Sequence, residues 1–369
     1  MENLDREILA KKYERIKLLA SISETIVSFL FLAGFVLFGA SKSLQDYVCT
    51  ISSDSYIRFL LFVFIIGLAF TLLGFPFNYF FSYKLEHKFG LSNLNFTRWF
   101  IENLKGLLVS IVLGIPVLIA FYYLMLNYEN WWLILAAVVL FYSVVIAQLA
   151  PVVIFPIFYK FKQLDNKSLK KSIEELCVKI GFKTRGVYVF DMSKNTKKAN
   201  AALAGLGKTK RIILGDTLIT GFSEDEIKSV VAHELGHYRK HHILKNILFS
   251  VVTTFLSLYI ISVLYESIYP YLGYVNRWDL GVLPILIIVG GVLGLLLKPL
   301  SNIISQRYEF QADKFAVETT GDVVSFKSMM EKLAFHNLAD KEPSKIAEFF
   351  FHSHPSVKRR IERAESYKK

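Results

Sequence analysis

Six long runs without a charged residue dominate the chain: Thr25–Ser41, Phe59–Phe81, Gly106–Tyr128, Asn130–Tyr159, Asn246–Tyr265 and Leu280–Leu297. About 20 apolar residues in a helix cross the hydrocarbon of a bilayer, so each run predicts a membrane span. The first is short but extends back through Leu18–Ser23, and the last continues helically past Pro299. Polar patterning returns between the fourth and fifth runs. There Ser168–Ile180 carries Leu169, Ile173, Leu176, Cys177 and Ile180 on one helical face. Gly186–Asp191 and Lys210–Leu214 read as strands, joined through the Gly-containing Ala199–Gly207. Ser223 and Glu226 form a capping box, opening a helix that runs almost unbroken into the fifth span. The predicted fold is mainly α: a polytopic membrane helix bundle of about six spans, with an α+β insertion and a helical C-terminal tail. Four segments follow: a four-span membrane region at 1–159, the insertion at 160–243, two further spans at 244–304, and a C-terminal helical region at 305–369.

Composition agrees. Of 369 residues 53% are hydrophobic and 20% charged, above the 45–50% apolar content of soluble domains. Disorder is excluded by that apolar content, and a disulfide scaffold by the presence of only Cys49 and Cys177. The net charge of +12 would hint at nucleic acid in a soluble protein. Here Lys and Arg concentrate in the N-terminal arm, the second-to-third-span loop, the insertion and the tail, and avoid the alternate loops. That is the positive-inside pattern, with both termini and the insertion cytosolic. The partner implied is a lipid bilayer; nucleic acid is not. The first run reads as an anchor and span, not a cleaved signal peptide.

The chemistry-bearing motif is His233-Glu234-Leu235-Gly236-His237. Histidines at i and i+4 share a helical face, so two imidazoles can converge on one Zn²⁺, with Glu234 beside them as a base. A catalytic zinc takes three protein ligands and keeps one position open. A later His, Asp or Glu must complete the set. The best-placed acid is Glu309, in Ser305–Asp313. Asp313 lies one turn further on the same face, where it could accept the far N–H of a ligating histidine.

HELGH at 233, Ser305-x-Arg307-x-Glu309-x-x-Ala312-Asp313, and His354-Pro355-Ser356 followed by Arg360-Ile361 resemble the integral-membrane zinc proteases called CAAX prenyl protease type 1. Leu85–Gly90, Pro151–Phe161, Ala199–Ala201 and Lys210–Leu218 are similar too, in the same order. The resemblance implies one zinc per chain held by His233, His237 and Glu309, with Glu234 as general base. It leaves His354 and Arg360 to stabilise the oxyanion or hold substrate, and Asn200 to line up substrate on an edge strand. His242 also matches; nine positions beyond His233, on a continuous helix it projects from the opposite face. Eukaryotic members have seven spans around a water-filled chamber, against six legible here. The family's usual aromatic after Asn-Ala is Ala202 in this chain.

The function implied is a membrane-embedded zinc endopeptidase cutting near the cytosolic face. Its substrate is a peptide or protein, lipidated where a CAAX C-terminus is prenylated. The host membrane would be the plasma or inner membrane in a prokaryote and the endoplasmic reticulum in a eukaryote. Two alternatives are a heat-shock-type membrane metalloprotease and a non-catalytic transporter or scaffold with structural zinc. Structural zinc closes with four Cys or His ligands, and no Cys-x-x-Cys or second paired-histidine motif supplies them.

Overall fold

A computed structural model describes residues 2–205 and 210–367; Gly207, at the end of the predicted connection, lies outside them. Among the described residues six helices are long and apolar enough to cross a membrane: Asp5–Leu37, Ser55–Lys88, Phe96–Asn127, Trp131–Phe158, His242–Leu272 and Leu280–Thr320. All six predicted spans are present, most extending beyond their apolar runs. Charged residues do not stop a helix; they only mark where it leaves the hydrocarbon.

The first span ends earlier than predicted. Gly39 takes a left-handed conformation at φ 78°, and a separate helix, Ala40–Ile51, follows where a loop was expected. It caps the end of the bundle away from the HELGH motif. Ser41 donates to Gly281 O at 2.5 Å, and Gln45 Oε1 accepts from Gly281 N at 2.7 Å. The tight apolar core of the membrane region also sits at this end, where Phe59 stacks on Tyr122 at 4.3 Å and Trp131 and Tyr265 are buried. Toward the other end, the fifth and sixth spans border a cavity lined by Ser250, Thr253, Lys298 and Ser301.

The insertion holds a four-stranded sheet: β1 (Phe161–Gln163), β2 (Val187–Phe190), β3 (Ala201–Ala204) and β4 (Arg211–Gly215) in the order β1-β2-β4-β3. Only the β2–β4 pair is parallel. β2 and β4 are the predicted strands; β3 begins directly after Asn200, where the resemblance implied an edge strand, and the three-residue β1 is too short to show a period. The predicted helix spans Lys167–Ile180, capped by Asn166 and ended by left-handed Gly181, with Leu169, Ile173, Leu176 and Cys177 buried. Those side chains share one core with Val231 and Leu235 of the HELGH helix, with Val317 on the sixth-span helix, and with Phe326 and Met329 of the C-terminal region. The insertion and tail therefore build one body, clamped on the long sixth helix.

Candidate metal centre and active site

The HELGH motif lies on Glu224–Arg239, and both halves of its capping box are formed. Glu226 is held twice: it caps its own helix and accepts from Ser328 (2.6 Å) and Lys332 (2.8 Å) of the helix Val323–Asn337. The helix does not flow into the fifth span. It breaks at Lys240–His241, with His241 left-handed at φ 56°, before His242–Ile268 begins. No glycine or proline marks this break in the sequence.

The acids come from the sixth span itself, which stays helical from Pro284 through Pro299 to Thr320 and carries Glu309 and Asp313. It meets the HELGH helix at small residues. A Cβ on Gly236 would stand 3.0 Å from Ala312 Cα and 3.1 Å from its carbonyl oxygen. Only a residue without a side chain allows this approach, and it brings Glu309 and Asp313, which flank Ala312 in the sequence, up to His233 and His237.

The donor atoms of three side chains converge there. His233 Nε2 and His237 Nε2 are 3.2 Å apart, His233 Nε2 is 3.4 Å from Glu309 Oε2, and His237 Nε2 is 3.3 Å from Glu309 Oε1. Tetrahedral ligands at zinc bond lengths of about 2.0–2.1 Å stand roughly 3.3–3.4 Å apart, so the donor set has the right size for that ion. Glu309 Oε2 is buried without a well-aligned hydrogen bond, although His354 Nδ1 (3.0 Å) and Arg360 Nη2 (3.2 Å) flank it. A buried carboxylate oxygen left without such a bond fits a cation-binding role.

The surrounding groups fix the tautomers. His233 Nδ1 donates to Asp313 Oδ1 at 2.9 Å. Gln311 Oε1 accepts from His242 Nε2 at 3.0 Å, so His242 Nδ1 accepts the His237 Nδ1–H, also at 3.0 Å. The Nε2 atoms of both rings then face the shared centre, where a cation can take the place of a proton. His242 thus does not project from the opposite face, because the helix break turns it back; it stacks on Tyr308 at 4.3 Å and holds His237. Its match to the family pattern was the only signal in the sequence. Burial disfavours a charged His233 ring, but the Asp313 and Glu309 carboxylates, which accept its hydrogen bonds, outweigh it and hold the imidazole up at about 9.

Glu234 lies beside the cluster. Burial pushes its carboxyl up, against the pull of His233 and His237, and among the described residues it makes no hydrogen bond. Both its oxygens are free to take a proton. Arg360 is engaged: Nε donates to Asp313 Oδ2 at 2.8 Å and Nη2 to Oδ1 at 2.6 Å. With the Nδ1 proton of His233 given to Asp313, the 3.5 Å approach of Arg360 to that nitrogen is proximity, not a bond. His354 is 63% exposed and open to solvent on the far side of Glu309. Asn200 heads the edge strand β3, where its carbonyl accepts from Gly215 N at 2.9 Å. Its side chain accepts from Ala201 N.

A helix bundle that crosses the membrane and presents two imidazoles, a carboxylate and an adjacent free glutamate defines a membrane-embedded metallopeptidase. Residues 163–368 match the family model described as peptidase family M48, and residues 5–160 match the one described as CAAX prenyl protease N-terminal, five membrane helices. The chain belongs to peptidase family M48 and is homologous to the CAAX prenyl proteases of type 1. CAAX prenyl protease 1 of Saccharomyces cerevisiae is 33% identical over 310 residues, covering 79% of this chain and 68% of the yeast protein. An uncharacterized metalloprotease of Bacillus subtilis, YhfN, is 28% identical over 368 residues, covering 97% and 85%. The crystal structure of S. mikatae Ste24p superposes with a TM-score of 0.85 at 26% identity, covering 98% of this chain and 88% of that one. The transporter, scaffold and heat-shock readings are not favoured by this agreement along the whole chain. Within the N-terminal match this chain has four membrane-length helices among the described residues, with Ala40–Ile51 between the first two.

Proposed function

We propose that His233, His237 and Glu309 hold one catalytic zinc and that Glu234 is the general base of peptide hydrolysis beside the cytosolic membrane face. The observation that carries this reading is the convergence of two imidazole nitrogens, 3.2 Å apart, on the Glu309 carboxylate, one oxygen of which lies 3.4 Å from His233 Nε2 and the other 3.3 Å from His237 Nε2. When bound, zinc supplies Lewis acidity and lowers the pKa of water toward neutrality. Glu234 takes the proton of the attacking water and passes it to the leaving amine. His354, free on its solvent side, donates to the oxyanion as the carbonyl is attacked. Arg360 acts through Asp313, fixing the carboxylate that fixes His233. The edge strand β3, headed by Asn200, pairs with the substrate backbone. The substrate class is a membrane-tethered protein or peptide, including prenylated CAAX C-termini where the host makes them.

The purified protein is expected to hold about one zinc, as a single three-ligand site requires, and to lose peptide cleavage on chelation and regain it with zinc. Because the ion must displace a proton from the His233 ring, held at about 9, its apparent affinity is expected to fall about tenfold per unit of pH below that value. Metal analysis and competition titrations between pH 6 and 9 check both; a metal-free active protein overturns the reading.

The clustering of Lys and Arg in the arm, the insertion and the tail supports a cytosolic position for both termini and the site. Cys49 is exposed, on the helix that caps the opposite end of the bundle, while Cys177 is buried. Burial pushes the Cys177 thiol up to about 11. An impermeant maleimide is therefore expected to label Cys49 only from the non-cytosolic side of sealed vesicles, and Cys177 from neither. Labelling of Cys49 from the cytosolic side would invert the topology.

A further inference from the structure

The first and sixth spans meet at Gly291, where a Cβ would stand 2.7 Å from the Phe29 ring. Lys298 follows Gly291 by seven residues, about 10 Å along a helix. There a pocket of about 520 Å³ lies between the two helices, within the size range of small-molecule sites. The first helix lines it with Lys11, Arg15 and Lys17, and the sixth with Lys298. Two acids, Glu14 and Asp340, stand against these four cations. Among the described residues none of the four cations makes an ion pair with a carboxylate. Lys17 and Lys298 lie over aromatic rings instead, 5.5 Å from Tyr13 and 5.8 Å from Phe351.

The pocket sits at the edge of the hydrocarbon. Lys298 is the first charge after the charge-free run Leu280–Leu297, and Lys17 directly precedes the apolar stretch Leu18–Ser23. The short helix Lys345–Phe351 adds an apolar rim, on which Ile346, Phe349, Phe350 and Phe351 are all exposed. Its backbone is tied to the sixth span: Asn302 Nδ2 donates to Phe349 O at 3.1 Å, and Gln306 Nε2 to Glu348 O at 3.2 Å. Asn302 follows Leu297 by five residues, so the rim stands within roughly 8 Å of the end of the charge-free run. Exposed aromatic side chains at that depth meet the lipid interface. A soluble anion would use the cations and leave the rim idle. A lipid uses both.

We propose that this pocket binds one phospholipid of net negative charge. Its phosphate lies among Lys11, Arg15, Lys17 and Lys298, and its acyl chains run along Leu18 and Phe351, which also line the pocket. Basic pockets between membrane helices on the cytosolic side take anionic headgroups, and hydrogen bonds from charged donors to phosphate are the strong ones. The pocket reaches His352 and His354 as well, so the headgroup stands at the mouth of the metal site. The site is independent of the peptidase reading and stands or falls by lipid binding alone.

The test titrates the full-length protein in detergent with phosphatidylglycerol or phosphatidylcholine of identical acyl chains and counts bound lipid by native mass spectrometry. Each basic residue is worth about fivefold in attracting an anionic lipid. The wild type, with four cations against two acids in the pocket, is expected to bind one phosphatidylglycerol roughly 25-fold more tightly than phosphatidylcholine. Arg15→Gln combined with Lys298→Gln is expected to weaken phosphatidylglycerol by about 25-fold. The control pair Lys88→Gln with Arg98→Gln removes two exposed cations of another basic segment and is expected to bind as the wild type does. All four side chains are exposed, so the variants fold, and the rise in unfolding temperature on adding phosphatidylglycerol is expected to vanish in the pocket pair alone. Equal affinity for the two lipids, or wild-type affinity in the pocket pair, overturns the proposal. An equal loss in both pairs reduces the pocket to diffuse surface charge and also overturns it. Displacement of the lipid by an equal concentration of inorganic phosphate makes this a soluble-anion site, which overturns it too.

Discussion

Glu234→Gln is expected to lower kcat by about 10²–10⁴-fold, the usual contribution of a positioned general base, while the protein keeps its zinc. The carboxylate makes no hydrogen bond among the described residues, so an amide of the same shape leaves no broken pair behind. His233, His237 and Glu309 hold one another and their supports without it. What disappears is the ability to accept a proton. Steady-state cleavage of a peptide, measured beside metal content, separates this from a loss of the site. An active Glu234→Gln enzyme with zinc bound would remove Glu234 as the base; an inactive one without zinc would make it a structural residue instead.

Arg360→Ala is expected to damage both stability and the metal site. The guanidinium grips Asp313 with two bonds and lies 3.2 Å from Glu309, while the Asp313 side chain is 1% exposed. Removing one partner of a buried pair leaves the other charge uncompensated, at about 3–5 kcal/mol. Asp313 in turn orients His233, and loss of such support lowers metal affinity by about 10–100-fold. Arg360→Lys keeps the charge without the two-pronged geometry and is expected to fall between. The double variant Arg360→Met with Asp313→Leu removes both charges; it is expected to regain stability but not zinc affinity. Thermal unfolding in detergent and zinc competition read the two effects apart. Wild-type unfolding and wild-type affinity in Arg360→Ala would show that the clamp does neither job.

The contrast between Arg360 and Glu234 shows where sequence reasoning stops. The role proposed for Glu234 follows from its place between two histidines one turn apart. Arg360 stood out by its resemblance alone, as a group for the oxyanion or the substrate. Its two bonds to Asp313 depend on the C-terminal helix Val357–Glu365 docking against the sixth span. His242 is a similar case. Helical arithmetic turned it away from the site, and a break at Lys240–His241 without a glycine or proline returned it to His237. The expected loop after the first span was likewise a helix, because its few charges hid an amphipathic segment that packs on Gly281.

The chain by itself determined the six spans, the side on which its charges gather, and the pairing of His233 with His237. Each of these is set by neighbours within a few turns of helix, where composition and period act directly. Tertiary structure alone decided that Gly236 and Ala312 let two helices touch, which brings Glu309, the acid the motif had singled out, up to both histidines, and that Lys298 faces cavities instead of lipid. Those outcomes depend on how helices dozens of residues apart cross one another, and crossing geometry arises from packing that no local pattern encodes.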